Sequence, residues 1–258
     1  MLGARPFAEY NEVIRSGGEG VFDSRLVGFS PFSFHHLIAV VVLIAVAMTL
    51  FMCRRQISPA IDRWIRMTAV VLMLGMEWTF YVWSIRTVGF DATLLPCGLC
   101  AMSLYLTCVL LLTRRRRVFA IVFPWAITGA IMSYGVADVA YRFPHFRYLH
   151  YFGNHGLFLL GCLYMQWVWR FQLTYRDVLQ SSFVLTVWAA IMFPLNYLID
   201  ANHLFLRALP DEIAPLFAPF GVLWPLAFSL FIFVVFNLVY ATLLVVRQTT
   251  PEADHETG

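Results

Sequence analysis

The residues that could do chemistry begin with Cys97-Gly98-Leu99-Cys100. Two thiols three residues apart share a face wherever the segment is helical. Pro96 suits a first helical turn, where its missing N–H costs nothing. A thiol there feels the positive end of the helix dipole, which favours thiolate. Such a thiolate attacks an acyl carbonyl or, in an oxidising compartment, exchanges with a disulfide. The second stretch, Arg142 to Cys162, opens with Arg142, His145, Arg147, His150, Asn154 and His155 and then turns apolar. Ionisable residues at the mouth of a spanning helix mark a functional site, and a histidine there can act as general base. Glu77 is the only glutamate inside an apolar run. A carboxylate in lipid costs about 3 kcal/mol unless paired or protonated, so Glu77 either orients a histidine, as in a triad, or pairs structurally with an Arg or His of a neighbouring helix. Asn196 and Asn202 offer amides for an ester carbonyl or phosphate oxygen, with Arg207 beside them. The candidate catalytic set is Cys97, Cys100, His150, His155 and Glu77. The candidate substrate-binding set is Asn154, Asn196, Asn202, Arg207, Arg147 and Tyr151. Arg142, His145 and Arg147 are expected near the headgroups, with His150, Asn154 and above all His155 facing the site.

The elements that must position these residues are membrane helices. Of 258 residues, 60% are hydrophobic and 13% charged, where a soluble domain carries about a quarter charged. The mean hydropathy is +0.73. All 18 basic residues are arginine, and no basic and aromatic tract of the nucleic-acid-binding kind occurs. Seven segments reach the roughly 20 apolar residues a spanning helix needs: 34–53, 65–85, 93–113, 118–139, 148–169, 178–199 and 220–246. Eleven arginines (Arg54, Arg55, Arg63, Arg66, Arg114 to Arg117, Arg170, Arg176 and Arg247) fall on one side of this topology, against Arg86, Arg142, Arg147 and Arg207 on the other. The positive-inside rule makes the eleven cytoplasmic. The expected fold is an all-α membrane protein, a seven-helix transmembrane bundle with its N-terminus outside and its C-terminus cytoplasmic. Residues 1–32 form an extracytoplasmic or interfacial segment, with an amphipathic helix around Phe7, Tyr10, Val13 and Ile14. Residues 33–247 form the bundle, and 248–258 a flexible cytoplasmic tail. In this orientation the thiol pair, Glu77, the helix-5 entrance, Asp138 and the Asn-rich end of helix 6 all lie near the outer leaflet. The tract Arg114 to Arg117 sets topology and meets anionic lipid.

Three blocks, LLPCGLC (94–100), HFRYLHYFGNHG (145–156) and NYLIDANHLFLRALP (196–210), together resemble the YwaF-type family of bacterial integral membrane proteins in order and spacing. Trp224-Pro225 and Glu77 extend the likeness, which runs over roughly residues 70–230. The resemblance implies a multi-pass protein of the bacterial inner (plasma) membrane. More distantly, the chain is similar to a eukaryotic group of small multi-pass proteins that remodel ether phospholipids by acyl transfer. That group carries a Pro-Cys-His block and a later His. The likeness makes Cys97 the acyl acceptor and His155 or His150 the base. Gly98 stands where both groups have His, and Cys100 falls at the Cys position usual in the YwaF-type family, so the nucleophile is divided between the two thiols. PCGLC also resembles the block that opens a spanning helix in DsbB-type thiol oxidases, but Ala101-Met102-Ser103 replaces the expected Gln-Arg and there is no second outer Cys pair.

The expectation is therefore a phospholipid acyltransferase with a Cys nucleophile and a His base, its partners being membrane lipids. No metal or other cofactor is expected, since no tight His-x-x-x-His spacing supports a zinc hydrolase. The alternatives are a membrane thiol–disulfide oxidoreductase working through Cys97 and Cys100, and a non-enzymatic transporter or lipid-binding protein. The thiol pair and Glu77 also admit plain packing.

Overall fold

A computed structural model describes residues 20–249, apart from 24, 136, 138, 211 and 212. The proposed amphipathic helix, Asp138 and the tail beyond Thr249 lie outside the described residues, whereas Gln248 and Thr249, expected in the flexible tail, are helical. Among the described residues there are seven long helices: α1 (Phe34–Cys53), α2 (Pro59–Val88), α3 (Leu99–Thr113), α4 (Arg116–Gly135), α5 (Phe146–Trp167), α6 (Tyr175–Leu198) and α7 (Trp224–Thr249). Each expected apolar segment is helical, with ends displaced by up to six residues. Local chemistry sets several of these ends. Ser58 caps α2 and Pro59 occupies its first turn. Thr174 and Asp177 form a capping box at the start of α6. Arg114, in the left-handed region at φ 55°, turns α3 tightly into α4. Pro96 and Cys97 precede α3 instead of entering it. Gly98 is the N-cap, and a separate 3-10 turn covers Ala92–Leu94.

Six of these segments are long and apolar enough to cross a membrane. The helix outside that set is α5, which is 22 residues long, or about 33 Å. Its polar residues lower its hydropathy, and they point inward. Helices α4 and α5 form the centre. α4 packs against α3, α5, α6 and α7, while α5 also meets α1, α2 and α3. Phe119, Val122, Phe123, Trp125 and Ala126 of α4 are fully buried, and Phe158, Cys162 and Met165 of α5 join them in the core. α1 lies at the periphery with most of its apolar surface exposed, as expected of a helix solvated by lipid. Its first turn is nonetheless fixed. His36 donates from Nε2 to the Tyr134 carbonyl at 2.9 Å, and the Tyr148 hydroxyl donates to the His35 carbonyl at 2.6 Å. The preceding segment bridges to the α4–α5 loop, with Gly28 N–H on Ala140 O and Arg142 N–H on Leu26 O, each at 2.9 Å.

At its other end the bundle is closed by a fully bonded clasp. Asp62 Oδ2 accepts from Arg66 at 2.9 Å, and its Oδ1 accepts from Tyr164 Oη at 2.6 Å and Trp169 Nε1 at 2.8 Å. Arg66 reaches the Leu111 carbonyl as well. The arginine sits four residues after the aspartate, a spacing that favours pairing, and the clasp ties α2 to α3 and α5.

Candidate functional site

The candidate residues divide between two places, because His150 and His155 are five residues apart on α5 and so point about 140° away from each other. His150 faces α2. Arg147 donates from Nη1 to His150 Nδ1 at 3.0 Å. A guanidinium can only donate, so Nδ1 is the bare nitrogen and Nε2 carries the proton. That proton goes to Glu77 Oε2 at 2.9 Å, and Asn154 Nδ2 donates to the same oxygen at 3.1 Å. Phe80 stacks on the His150 ring at 4.7 Å and lies under the Arg147 guanidinium at 4.3 Å. Tyr81 and Tyr105 stand beside the Glu77 carboxylate. Glu77, His150 and Asn154 are all buried. The result is a neutralised chain, guanidinium to imidazole to carboxylate, that docks α5 onto α2.

His155 faces the other way, into a cavity of about 600 Å³. Its Nδ1 lies 2.6 Å from the Tyr151 carbonyl. A carbonyl can only accept, so Nδ1 holds the proton and Nε2 keeps its lone pair. Cys100, at the second residue of α3, lines the same cavity, as do Tyr151 and Asn202. Ser133 on α4 sits next to the Cys100 thiol. Gly129, one turn before it, leaves the thiol room, since a Cβ there would sit 3.4 Å from Sγ. The walls are otherwise largely apolar, including Leu185, Leu206 and Phe228. Thr186 of α6 and Ser229 and Leu230 of α7 line the cavity and are also exposed, so it opens between these two helices. At their far ends the helices touch through Tyr175 and Tyr240. The cavity thus brings together Cys100, His155, Tyr151 and Asn202, and does not include Cys97, Glu77, His150, Asn154, Arg147, Asn196 or Arg207.

The Asn-rich end of α6 closes the cavity rather than offering free amides. Asn196 and His203 exchange two bonds at 2.9 Å, Asn196 Nδ2 to the His203 carbonyl and His203 N–H to Asn196 Oδ1. Asn202 Oδ1 accepts from the backbone N–H of Arg207 and Ala208, at 2.9 and 3.2 Å. Arg207 Nη1 gathers the Asn196 and Ala201 carbonyls and Asp200 Oδ1. These side chains satisfy backbone groups left over where α6 ends. His203 donates from Nε2 to the Ala92 carbonyl at 3.1 Å, tying the loop to the turn before α3, and burial holds its pKa below the usual histidine value.

Cys97 stays outside the cavity. Its carbonyl accepts from Trp188 Nε1 at 3.1 Å, and both Cys97 and Cys100 are free thiols. His145 is a correction to the interfacial reading, since it is completely buried. It caps α5 by accepting Arg147 N–H on Nδ1 at 3.0 Å and stacks on Tyr141 at 3.8 Å. Burial and the neighbouring Arg147 charge depress its pKa to about 4. Ser133 and Gly129 are site residues that the motifs did not mark. Their only signal is their spacing on α4, one turn apart. Among the described residues no group of three or more His, Cys, Asp or Glu could hold a metal ion.

The fold and these two buried polar sites define a multi-pass α-helical membrane protein with a cavity that opens sideways between two of its helices. A family model matches residues 29–243, and the chain belongs to the TMEM164 family. It is this family, and not one under the YwaF-type name, that the comparison identifies. Neither the curated proteins nor the solved structures gave a match.

Proposed function

We propose that the protein transfers acyl chains between membrane phospholipids, with Cys100 as nucleophile and His155 as base. What carries this reading is the placement of Cys100 and His155 on one apolar cavity, with the His155 Nε2 lone pair available. His155 takes the Cys100 proton, and the thiolate attacks an ester carbonyl of a phospholipid. The alkoxide of the departing lysophospholipid recovers that proton from the imidazolium, leaving a thioester on Cys100. The hydroxyl of a second lysophospholipid gives its proton to His155 and attacks the thioester, which restores the thiol. Ser133 and Tyr151 supply polar contacts at the reacting end, and the opening between α6 and α7 admits chains from the bilayer.

The resemblance of Pro96-Cys97 to the eukaryotic acyl-transfer group favours Cys97 instead, and the cavity favours Cys100. The reading includes seven spans, with α5 as the most polar, and an N-terminus outside. The arginine distribution supports that orientation. The test is to replace Cys97 and Cys100 singly by Ser and follow exchange of a labelled acyl chain between phospholipids by the protein in liposomes. Loss with Cys100→Ser alone is expected. Exchange that survives both single replacements overturns the mechanism.

A further inference from the structure

A second space lies on the opposite flank of the bundle and shares no lining residue with the Cys100 cavity. α1 is pinned at its first turn by His36 and by the His35 carbonyl. Beyond Ala45 it stands apart from α2 while both lean on α5, and the gap is a groove of about 820 Å³. Val46 and Leu50 of α1, Ile65 and Leu72 of α2, and Leu157 and Leu160 of α5 form its walls. Three of the polar groups on these walls are already engaged, and Gln56, Trp64 and Thr68 are exposed. The Thr49 hydroxyl donates to the Ala45 carbonyl at 2.8 Å, the Tyr164 hydroxyl goes to Asp62, and Arg66 is bonded to Asp62 and the Leu111 carbonyl. Water would find little to bond in such a groove, whereas hydrocarbon gains contact along its whole length.

Its dimensions and charge name the occupant. From Ala45 to Cys53 the groove follows α1 for nine residues, or about 12 Å, close to the roughly 15 Å hydrocarbon depth of one leaflet. Cys53 and Gln56, both exposed, line the end of the groove next to the turn after α1. Arg54 and Arg55 stand between those two lining residues, and the turn from Arg54 to Ser58 carries no acid. Arg55 is exposed and Arg54 half-buried over the Phe51 ring. Asp62, the nearest acid along the chain, is committed to Arg66, Tyr164 and Trp169. We propose that this groove holds one acyl chain of an anionic glycerophospholipid from the adjoining leaflet, with its phosphate against Arg54 and Arg55. Such a lipid fills the unsealed half of the α1–α2 gap and adds contact between these two helices there. Two headgroup-level arginines favour an anionic over a zwitterionic headgroup by roughly tenfold.

The experiment uses the full chain, purified in detergent and stripped of lipid, then titrated with phosphatidylglycerol or phosphatidylcholine in mixed micelles while retained lipid is counted by native mass spectrometry. One phosphatidylglycerol per chain is expected, preferred about tenfold over phosphatidylcholine. Val46→Trp and Thr68→Phe, each filling the groove from an exposed position, should lower retention at least tenfold. Arg54→Gln with Arg55→Gln should keep a bound lipid but abolish the headgroup preference. Three results would each overturn the proposal: no retained lipid, retention unchanged in a filling variant that elutes as the parent does, or a preference that persists without the two arginines. None of them bears on acyl transfer at Cys100.

Discussion

The two faces of α5 differ in what their histidines have left to offer. His150 uses both ring nitrogens, one on Arg147 and one on Glu77. His155 uses only Nδ1, and its other nitrogen belongs to a ring that lines a cavity. Both sit in the same helix, within two turns, and both would be costly in lipid. A histidine with both nitrogens engaged fixes geometry. A histidine with one lone pair and space in front of it can move a proton. Burial alone therefore does not separate the two histidines; the bonding of the second nitrogen does, and the proposed mechanism rests on that difference.

The comparison breaks most visibly if the wrong histidine or thiol matters. Cys100→Ala and His155→Ala should each lower acyl exchange by at least about 100-fold while leaving the thermal midpoint near that of the parent. His150→Ala with full stability and lost exchange would reverse the assignment. Glu77→Ala should act on stability, since it strands the His150 N–H and the Asn154 amide in the interior. A loss of about 3 kcal/mol is expected, read from thermal unfolding in detergent, and Glu77→Gln should restore part of it by keeping an acceptor.

A third test concerns the cap above the closed network. His145 titrates near pH 6.5 when unfolded and about 4 when folded. Between those values the unfolded chain binds the extra proton, so the stabilisation His145 provides is present above pH 6.5 and lost as the pH falls toward 4. The midpoint of thermal unfolding should decline over that window, and His145→Asn, which can still cap α5, should make the decline shallower while leaving the part that His203 contributes. The smallest effect belongs to Cys97→Ser, expected to change exchange by no more than about twofold. A large loss there would move the nucleophile to the thiol outside the cavity.

The seven helices were legible because each apolar run is long and bounded by arginines, glycines or capping residues. The inward face of α5 was legible in the spacing of Arg147, Tyr151, Asn154 and His155. The separation of His150 from His155 follows from helical arithmetic, but which helix each would meet does not. That depends on α2 and α4 packing on opposite sides of α5. Cys97 looked equivalent to Cys100 because the first residue of α3 could not be placed from Pro96. Gly98, not Pro96, begins the helix, so only Cys100 is carried into the bundle. That Asn196, Asn202 and Arg207 would bond to backbone groups of a loop was not legible, because loop geometry leaves no periodic trace in sequence.

The stitched loop after α6 has a kinetic consequence. With His203 to Leu206 forming one wall and bonded to both α6 and the turn before α3, the mouth between Thr186 and Ser229 faces the surrounding hydrocarbon. Under the proposed acyl transfer, encounters then take place in two dimensions, and the quantity that sets the rate is the mole fraction of substrate among neighbouring lipids. Adding inert lipid at constant bulk substrate should slow exchange in proportion to the surface dilution, whereas enlarging the aqueous volume should leave it unchanged.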